Sequence, residues 1–150
     1  MKHVKKSVLL WYSASEMYEL VTAVDEYPRF LPGCDKADVL DKHDDGVTAR
    51  LGLAYMGVHH AFTTRNQHVA ARSVTVSLVD GPFSLLDGNW LFKSIGHPGS
   101  EAQACRIEFD LRYAFSSKAL EVVVSPVFDK IASTFVDSFV RRAESVYGVR

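Results

Sequence analysis

Six histidines are the side chains of this 150-residue sequence best suited by type to proton transfer or metal binding near neutral pH. None of them has the spacing of an H-E-x-x-H metal motif. His59 and His60 are adjacent, so in a strand they point to opposite faces of the sheet and cannot share one ion. The sequence therefore predicts no metal site and no required cofactor. The six are His3, His43, His59, His60, His68 and His97.

Cysteine is the other candidate for chemistry. Cys34 follows a proline-rich loop and could act as a nucleophile, but a small buried thiol without an activating neighbour is the favoured interpretation. Cys34 and Cys105 form no C-x-x-C pair, which argues against a zinc ribbon or a thioredoxin motif. A long-range disulfide is conceivable, and two reduced thiols are the expectation. The sequence also lacks a G-x-S-x-G, a P-loop and a G-x-G-x-x-G motif, so it does not predict an enzyme.

The clearest strand pattern lies at residues 105–113, where apolar residues alternate with Arg106, Glu108, Asp110 and Arg112. This alternation predicts an antiparallel sheet with one solvated face. We expect the two carboxylates to pair with the two arginines on that face, and not to serve as a catalytic acid and base. The polar side chains predicted on the inward faces suit orientation of a ligand better than proton abstraction. They are Tyr55, His60, Thr64, Asn66 and Tyr113.

Two periodicities place these residues on elements. Residues 4–12 alternate and predict a first strand. Ser13 or Ser15 then caps a helix, and Ser13 has Glu16 three residues on, which is a capping box. Residues 27–34 contain two prolines and a glycine, which predict a short helical turn and a loop. Residues 35–114 predict about six strands, because turn-forming residues recur at 44–46, 56–57, 80–82 and 97–100.

The C-terminal part of the sequence changes to three- and four-residue spacing. This stripe predicts an amphipathic helix from about Ser117 to Tyr147, closed by Gly148. Pro126 either kinks the helix or begins a second segment at its N1 position. A curved antiparallel sheet needs an element against its concave face, and this helix is the candidate. The predicted fold class is therefore α+β.

Composition and charge restrict the class of protein. The length predicts a single domain over 1–150, and 47% hydrophobic residues can sustain a core. A formal net charge of −1 argues against a protein that wraps DNA. Two small basic groups stand out, one at residues 2–6 and one formed by Arg50, Arg65 and Arg72. No run reaches the ~18 apolar residues of a membrane span, and the N-terminus does not resemble a signal peptide, so a cytoplasmic protein is expected.

Several motifs occur in an order that matches one family. They are Tyr27–Cys34, Phe62–Asn66, Leu78–Phe83, Leu86-x-Gly88-x-Trp90-x-Phe92 and Pro126-Val127-Phe128. Together they resemble the RatA and coenzyme Q-binding protein family, which is START-like and often labelled polyketide cyclase or dehydrase. The resemblance implies a helix-grip fold, in which a curved seven-stranded antiparallel sheet wraps around the C-terminal helix and two short helices follow the first strand. It also implies an apolar cavity between sheet and helix.

The resemblance gives the aromatic and polar inward residues a function. Composition alone favours a filled core, but one helix cannot easily fill a long bent sheet, so a hollow is expected. The expected ligand-binding cavity consists of Tyr55, His60, Phe62, Thr64, Asn66, Trp90, Phe92, Phe109, Tyr113, Phe128, Ile131 and Phe135. Two loops either pack against the C-terminal helix or form the entrance for a lipid, which would also give a membrane contact. Their residues are Phe30, Leu31, Pro32, Phe83 and Leu85.

The main expectation is therefore non-catalytic binding of ubiquinone or a related prenyl lipid in support of respiratory electron transport. Peripheral contact with the inner membrane belongs to this expectation. The alternative implied by the resemblance is a toxin that binds the large ribosomal subunit and blocks subunit association. A second alternative is a polyketide cyclase- or dehydrase-like enzyme, although fold analogy does not establish chemistry.

Overall fold

The computed structural model describes residues 1–55, 57–96 and 104–150. Its sheet has seven strands in the order β1-β7-β6-β5-β4-β3-β2, and every pair is antiparallel. The predicted α+β helix-grip fold is confirmed. The turn expected at 97–100 and residue 56 of the turn at 56–57 lie outside the described residues. The elements are β1 (Lys2–Leu10), α1 (Ala14–Thr22), a 3₁₀ helix (Val24–Arg29), β2 (Cys34–His43), β3 (Gly46–Tyr55), β4 (Val58–Val69), β5 (Ser73–Asp80), β6 (Phe83–Ile95), β7 (Ala104–Phe115) and α2 (Lys118–Tyr147).

The first strand pairs with the last one. In this ladder Val4 lies opposite Leu111 and Val8 lies opposite Ile107, so apolar residues meet on the concave side. β7 keeps the alternation predicted from sequence, since its apolar residues from Cys105 to Tyr113 are buried. β1 and β2 are the two edges of the sheet.

Helix α1 begins with the predicted capping box. The Ser13 hydroxyl accepts from the Glu16 N–H at 3.0 Å, and the Glu16 carboxylate accepts from the Ser13 N–H at 2.9 Å. Both bonds satisfy N–H groups that a helix start leaves without partners. The buried face of α1 includes Met17, Leu20 and Val21, and it contacts β5, β6 and β7.

Helix α2 is one continuous element of 30 residues, so Pro126 lies inside a single helix. Proline has no N–H to donate to the carbonyl of Val122, four positions earlier. The side chain of Val122 is 70% exposed, so this turn lies at the surface where water can satisfy that carbonyl. The helix ends at Gly148, whose φ of 86° suits glycine.

Aromatic rings join α2 to the sheet. The Trp90 ring lies 4.6 Å from Phe109 and 5.3 Å from Phe139, and Phe135 lies 5.5 Å from Phe109, all between ring centroids. These rings fill the centre of the concave face, as predicted for the C-terminal helix. Neither helix in the described part of the chain has the length and apolarity needed to cross a membrane.

Candidate functional site

A cavity lies between α2, the 3₁₀ helix and the concave face of the sheet. Its volume is about 80 Å³. Leu51, Val76 and Phe135 are its partly exposed wall residues, so they mark where it approaches the surface. Nine of the residues expected at the cavity or its entrance line it: Leu31, Phe62, Thr64, Asn66, Trp90, Phe109, Phe128, Ile131 and Phe135.

The remaining wall residues were not predicted. Those on α1 and the 3₁₀ helix continue the apolar stripe of the first helix, which was the available signal. Those on the strands face inward in the same alternation as the predicted residues. They were not predicted because the prediction favoured aromatic and polar side chains, and most of these residues are small or aliphatic. They are Val21, Val24, Tyr27, Cys34, Ala49, Leu51, Leu53, Val74, Val76, Leu86, Gly88, Leu111 and Ala132.

Thr64 and Asn66 form a polar pair on the apolar wall. The Thr64 hydroxyl donates to Asn66 Oδ1 at 2.8 Å, and both side chains are buried. The carboxamide nitrogen of Asn66 donates to none of the described residues. Asn66 lies between Val47 on β3 and Val76 on β5. The pair can therefore donate a hydrogen bond to a ligand oxygen within an otherwise oily surface.

Three residues expected at the cavity do not line it. The Phe92 ring packs against Tyr18 of α1, with centroids 6.0 Å apart. The Tyr113 hydroxyl points to α2 and donates to Asp129 at 2.6 Å. His60 is only partly buried and pairs with Leu53 in the β3–β4 ladder. These three face inward as alternation requires, but α1, α2 or the end of the strand pair separates them from the cavity. The side chain of the fourth, Tyr55, lies outside what the structure describes.

The two expected entrance loops differ. Leu31 is buried and lines the cavity, Phe30 is partly buried, and Pro32 is exposed. Phe83 is buried, with its ring 4.8 Å from Phe128, so the packed alternative holds for it. Leu85 is partly buried. Of these five residues, only Leu31 lines the cavity and only Pro32 is exposed, and both belong to the first loop.

A polar cluster fixes α2 to the edge of the sheet. Asp129 accepts hydrogen bonds from Lys2, from Ser125 at 2.6 Å and from Tyr113 at 2.6 Å. Burial works to raise the pKa of Asp129, but hydrogen bonds from Lys2, Ser125 and Tyr113 lower it below its ordinary value. Burial, followed by the bond to Asp129, raises the pKa of Tyr113. The carboxylate is fully engaged by this cluster, which makes it a structural anchor.

The two thiols are free and buried. Burial raises the pKa of Cys34 to about 11 and that of Cys105 to about 11 as well. Both are therefore neutral at physiological pH, whereas a nucleophile needs thiolate. Within residues 1–55, 57–96 and 104–150, no three His, Cys, Asp or Glu side chains are grouped as a metal site requires.

The outer face of the sheet carries polar pairs with partners other than those expected. Glu108 pairs with Lys93 at 3.2 Å, Asp110 pairs with His3 at 2.6 Å, and Arg112 pairs with Asp87 at 3.2 Å. Neighbouring strands supply these partners, because residues of one face recur only every second position along β7.

The first basic group, at residues 2–6, is largely neutralised. Lys2 and Lys6 pair with Asp129 and Asp137 on α2. In the second group Arg65 pairs with Asp45 at 3.0 Å.

The comparisons with known proteins place the chain in a family. A family model described as "Polyketide cyclase / dehydrase and lipid transport" matches residues 10–140. The chain belongs to this family, and within it to the RatA and coenzyme Q-binding group of START-like proteins.

Relatives named ribosome association toxin RatA are similar over the whole chain. The protein from Vibrio cholerae is 41% identical over 148 residues, which is 99% of each chain. The protein from Escherichia coli K12 is 39% identical over 150 residues, covering 100% of this chain and 92% of that one. A mitochondrial coenzyme Q-binding protein of Drosophila melanogaster is 27% identical, covering 91% of this chain and 56% of that one.

Solved structures confirm the architecture. An aromatase/cyclase from Streptomyces sp. R1128 superposes with a TM-score of 0.80 at 15% identity, covering 99% of both chains. A START superfamily protein of Mycobacterium smegmatis gives 0.71 at 20% identity, covering 95% of this chain and 94% of that one. At such identities the likeness shows the fold alone.

Proposed function

We propose that this protein associates with the ribosome and acts there as a toxin, as the name of its RatA relatives, ribosome association toxin, says of those proteins. The observation that carries the proposal is 36–41% identity to those relatives over nearly the whole chain. Identity to the coenzyme Q-binding proteins is only 25–27%. These findings favour the alternative expectation over the main expectation of quinone transport. The family resemblance implies the large subunit as the partner.

The volume of the cavity also favours ribosome association over quinone binding. Sites for small molecules usually enclose ~300–1,000 Å³, whereas this cavity holds about 80 Å³. A prenylated quinone would have to displace wall side chains, and the partly exposed Phe135 is the best placed to move. A role on the outer surface needs no such rearrangement.

Co-sedimentation tests the ribosome proposal. Purified protein is mixed with separated ribosomal subunits at low salt and centrifuged through a sucrose gradient. We expect it to migrate with the large subunit and to reduce the assembled fraction when both subunits are present. Protein that stays at the top of every gradient would overturn the proposal.

Binding of a hydrophobic ligand is a second candidate, because the wall is apolar and carries the Thr64–Asn66 donor pair. Burial of a tail would contribute ~25 cal/mol per Å², and the pair would orient a carbonyl oxygen. The test is organic extraction of the purified protein followed by mass spectrometry, then titration with a prenylquinone. Ala132→Leu, which places a larger side chain in the cavity, should abolish uptake and therefore serves as the negative control. The absence of both bound lipid and saturable uptake would refute this candidate.

We do not propose catalysis at the cavity. Its titratable wall residues are Tyr27 and Cys34. Burial raises the pKa of each, so neither exchanges a proton readily near neutral pH. The tyrosine hydroxyl is also engaged with the carbonyl of Val21.

A further inference from the structure

One end of the outer sheet face exposes large apolar side chains beside basic ones. Leu9 is 57% exposed, Trp11 is 60% exposed and Ile95 is 41% exposed. Lys93 and Arg106 are also exposed. We name these five residues the Trp11 patch.

The register of three strands brings the patch together. Leu9 on β1 lies opposite Arg106 on β7, and Arg106 lies opposite Lys93 on β6. Ile95 is two positions beyond Lys93 on the same face. Trp11 directly follows Leu10, whose partner Cys105 is paired with Ser94, so it lies at the same end of the sheet.

The patch differs from the rest of the outer face in combining an exposed indole with cations, although its Lys93 forms a cross-strand pair with Glu108. Further along β7, the charges of both signs form cross-strand pairs, as Arg112 does with Asp87. The patch places an indole at the same end of the sheet as a guanidinium and an ammonium. The nearest acidic partner described is Glu108, which is 3.2 Å from Lys93.

We propose that the Trp11 patch is a contact surface for ribosomal RNA, with Trp11 stacking on an unpaired base and Arg106 and Lys93 contacting phosphates. This inference rests on the proposed ribosome association. Single-stranded RNA is bound by aromatic side chains that stack on bases, and Arg and Lys track the backbone. An open sheet face suits this mode because its rings and cations are presented on one surface.

The local distribution of charge allows such a site on a protein whose net charge is −1. Phosphate attraction depends on the local charges within about one Debye length, which is ~8–10 Å under physiological salt. Residues of adjacent strands on one face are spaced within that distance. Glu108 lies within that distance and partly offsets Lys93, whereas the acidic residues along β2, at the opposite edge of the sheet, act on the patch only weakly.

The test compares binding of fluorescently labelled variants to purified large subunits and to deproteinised RNA from the same subunits. Trp11→Ala should weaken both interactions about fivefold or more, while Trp11→Phe, which keeps an aromatic ring, should restore most of the affinity. Arg106→Ala should lower the slope of log affinity against log salt by ~0.7. Val79→Ala, at a 58% exposed apolar position on β5, and Lys118→Ala, on the first turn of α2, are the matched controls and should change neither quantity.

The outcomes separate this inference from the proposed function. Unmutated protein that binds no subunit and no RNA refutes both. Subunit binding that survives Trp11→Ala and Arg106→Ala refutes the patch alone. The same two variants are also mixed with vesicles of phosphatidylethanolamine and phosphatidylglycerol. If they lose affinity for the vesicles but not for RNA, the patch is a membrane contact and the RNA assignment is overturned.

Discussion

Replacing both members of the Thr64–Asn66 pair should leave the fold about as stable as before, although either single replacement destabilises it. Thr64→Val leaves the buried Asn66 oxygen without its donor, and Asn66→Leu leaves the buried Thr64 hydroxyl without its acceptor. A buried polar group without a partner costs about 1–3 kcal/mol, whereas exchanging both partners for apolar groups of similar shape is nearly neutral. The bond is 2.8 Å long and both residues are buried, so the full cost applies.

The assay is a double-mutant cycle measured by urea denaturation. We expect each single variant to lose about 1 kcal/mol of unfolding free energy and the double variant to lose less than either, which gives a coupling of roughly 1–2 kcal/mol. Urea midpoints followed by far-ultraviolet circular dichroism give the four free energies. The m-values should agree, since all four proteins expose the same surface on unfolding.

Additive losses in the double variant would refute the reasoning, because they would show that the hydroxyl and the carboxamide do not depend on each other. The same proteins also test the role of the pair in ligand binding. If the double variant is stable and still takes up prenylquinone as the unmutated protein does, the pair has no part in recognition.

Three further predictions concern the helices and their ends. Phe139→Ala removes a fully buried ring that packs on Trp90 and should cost about 3–5 kcal/mol in chemical denaturation; a loss below about 1 kcal/mol would contradict the packing. Pro126→Ala restores a missing donor in an exposed turn of α2 and should raise the unfolding free energy by ~1–3 kcal/mol, because the ~3 kcal/mol cost of proline inside a helix is partly offset by its restriction of the unfolded chain; a decrease would show that the proline stabilises the helix. The hydrogen bond to Arg150 is the main cause that lowers the pKa of Glu16 below its ordinary value of 4.5. Because the folded-state pKa is the lower one, this pair stabilises the fold above that value and its contribution disappears as pH falls. Arg150→Ala should therefore lower the melting temperature more at neutral pH than in acid, where only the contacts of Arg150 with the Tyr12 and Tyr147 rings remain; an equal loss at both would contradict the assignment.

The elements were predictable where one periodicity dominated. The alternation of β7 and the stripe of α2 gave strand and helix correctly, and the capping box at Ser13 located the start of α1. Pro126 could not be resolved from sequence, because continuation of a helix past proline depends on whether the preceding turn can reach water. That depends on exposure, which only the packed structure defines.

The candidate site was predictable only in part. Alternation identified which side chains face inward, but it contains no information on where another element covers them, so Phe92 and Tyr113 were wrongly expected at the cavity. The size of the hollow depends on how the rings of α2 interlock with those of the sheet. The Trp11 patch was missed because net charge sums over the whole molecule, while a surface site depends on neighbours across three strands.

The pairing of β1 with β7 has a consequence for how the chain matures. The two strands are about a hundred positions apart in sequence, so during translation β1 cannot form its ladder until β7, the last strand, has been synthesised. Ladders of such long separation form slowly. A chain interrupted before β7 would hold an unpaired edge and an uncovered aromatic face, two features that promote aggregation. Copies that end before β7 should therefore be insoluble or rapidly degraded, which makes the abundance of the protein sensitive to termination before Ala104.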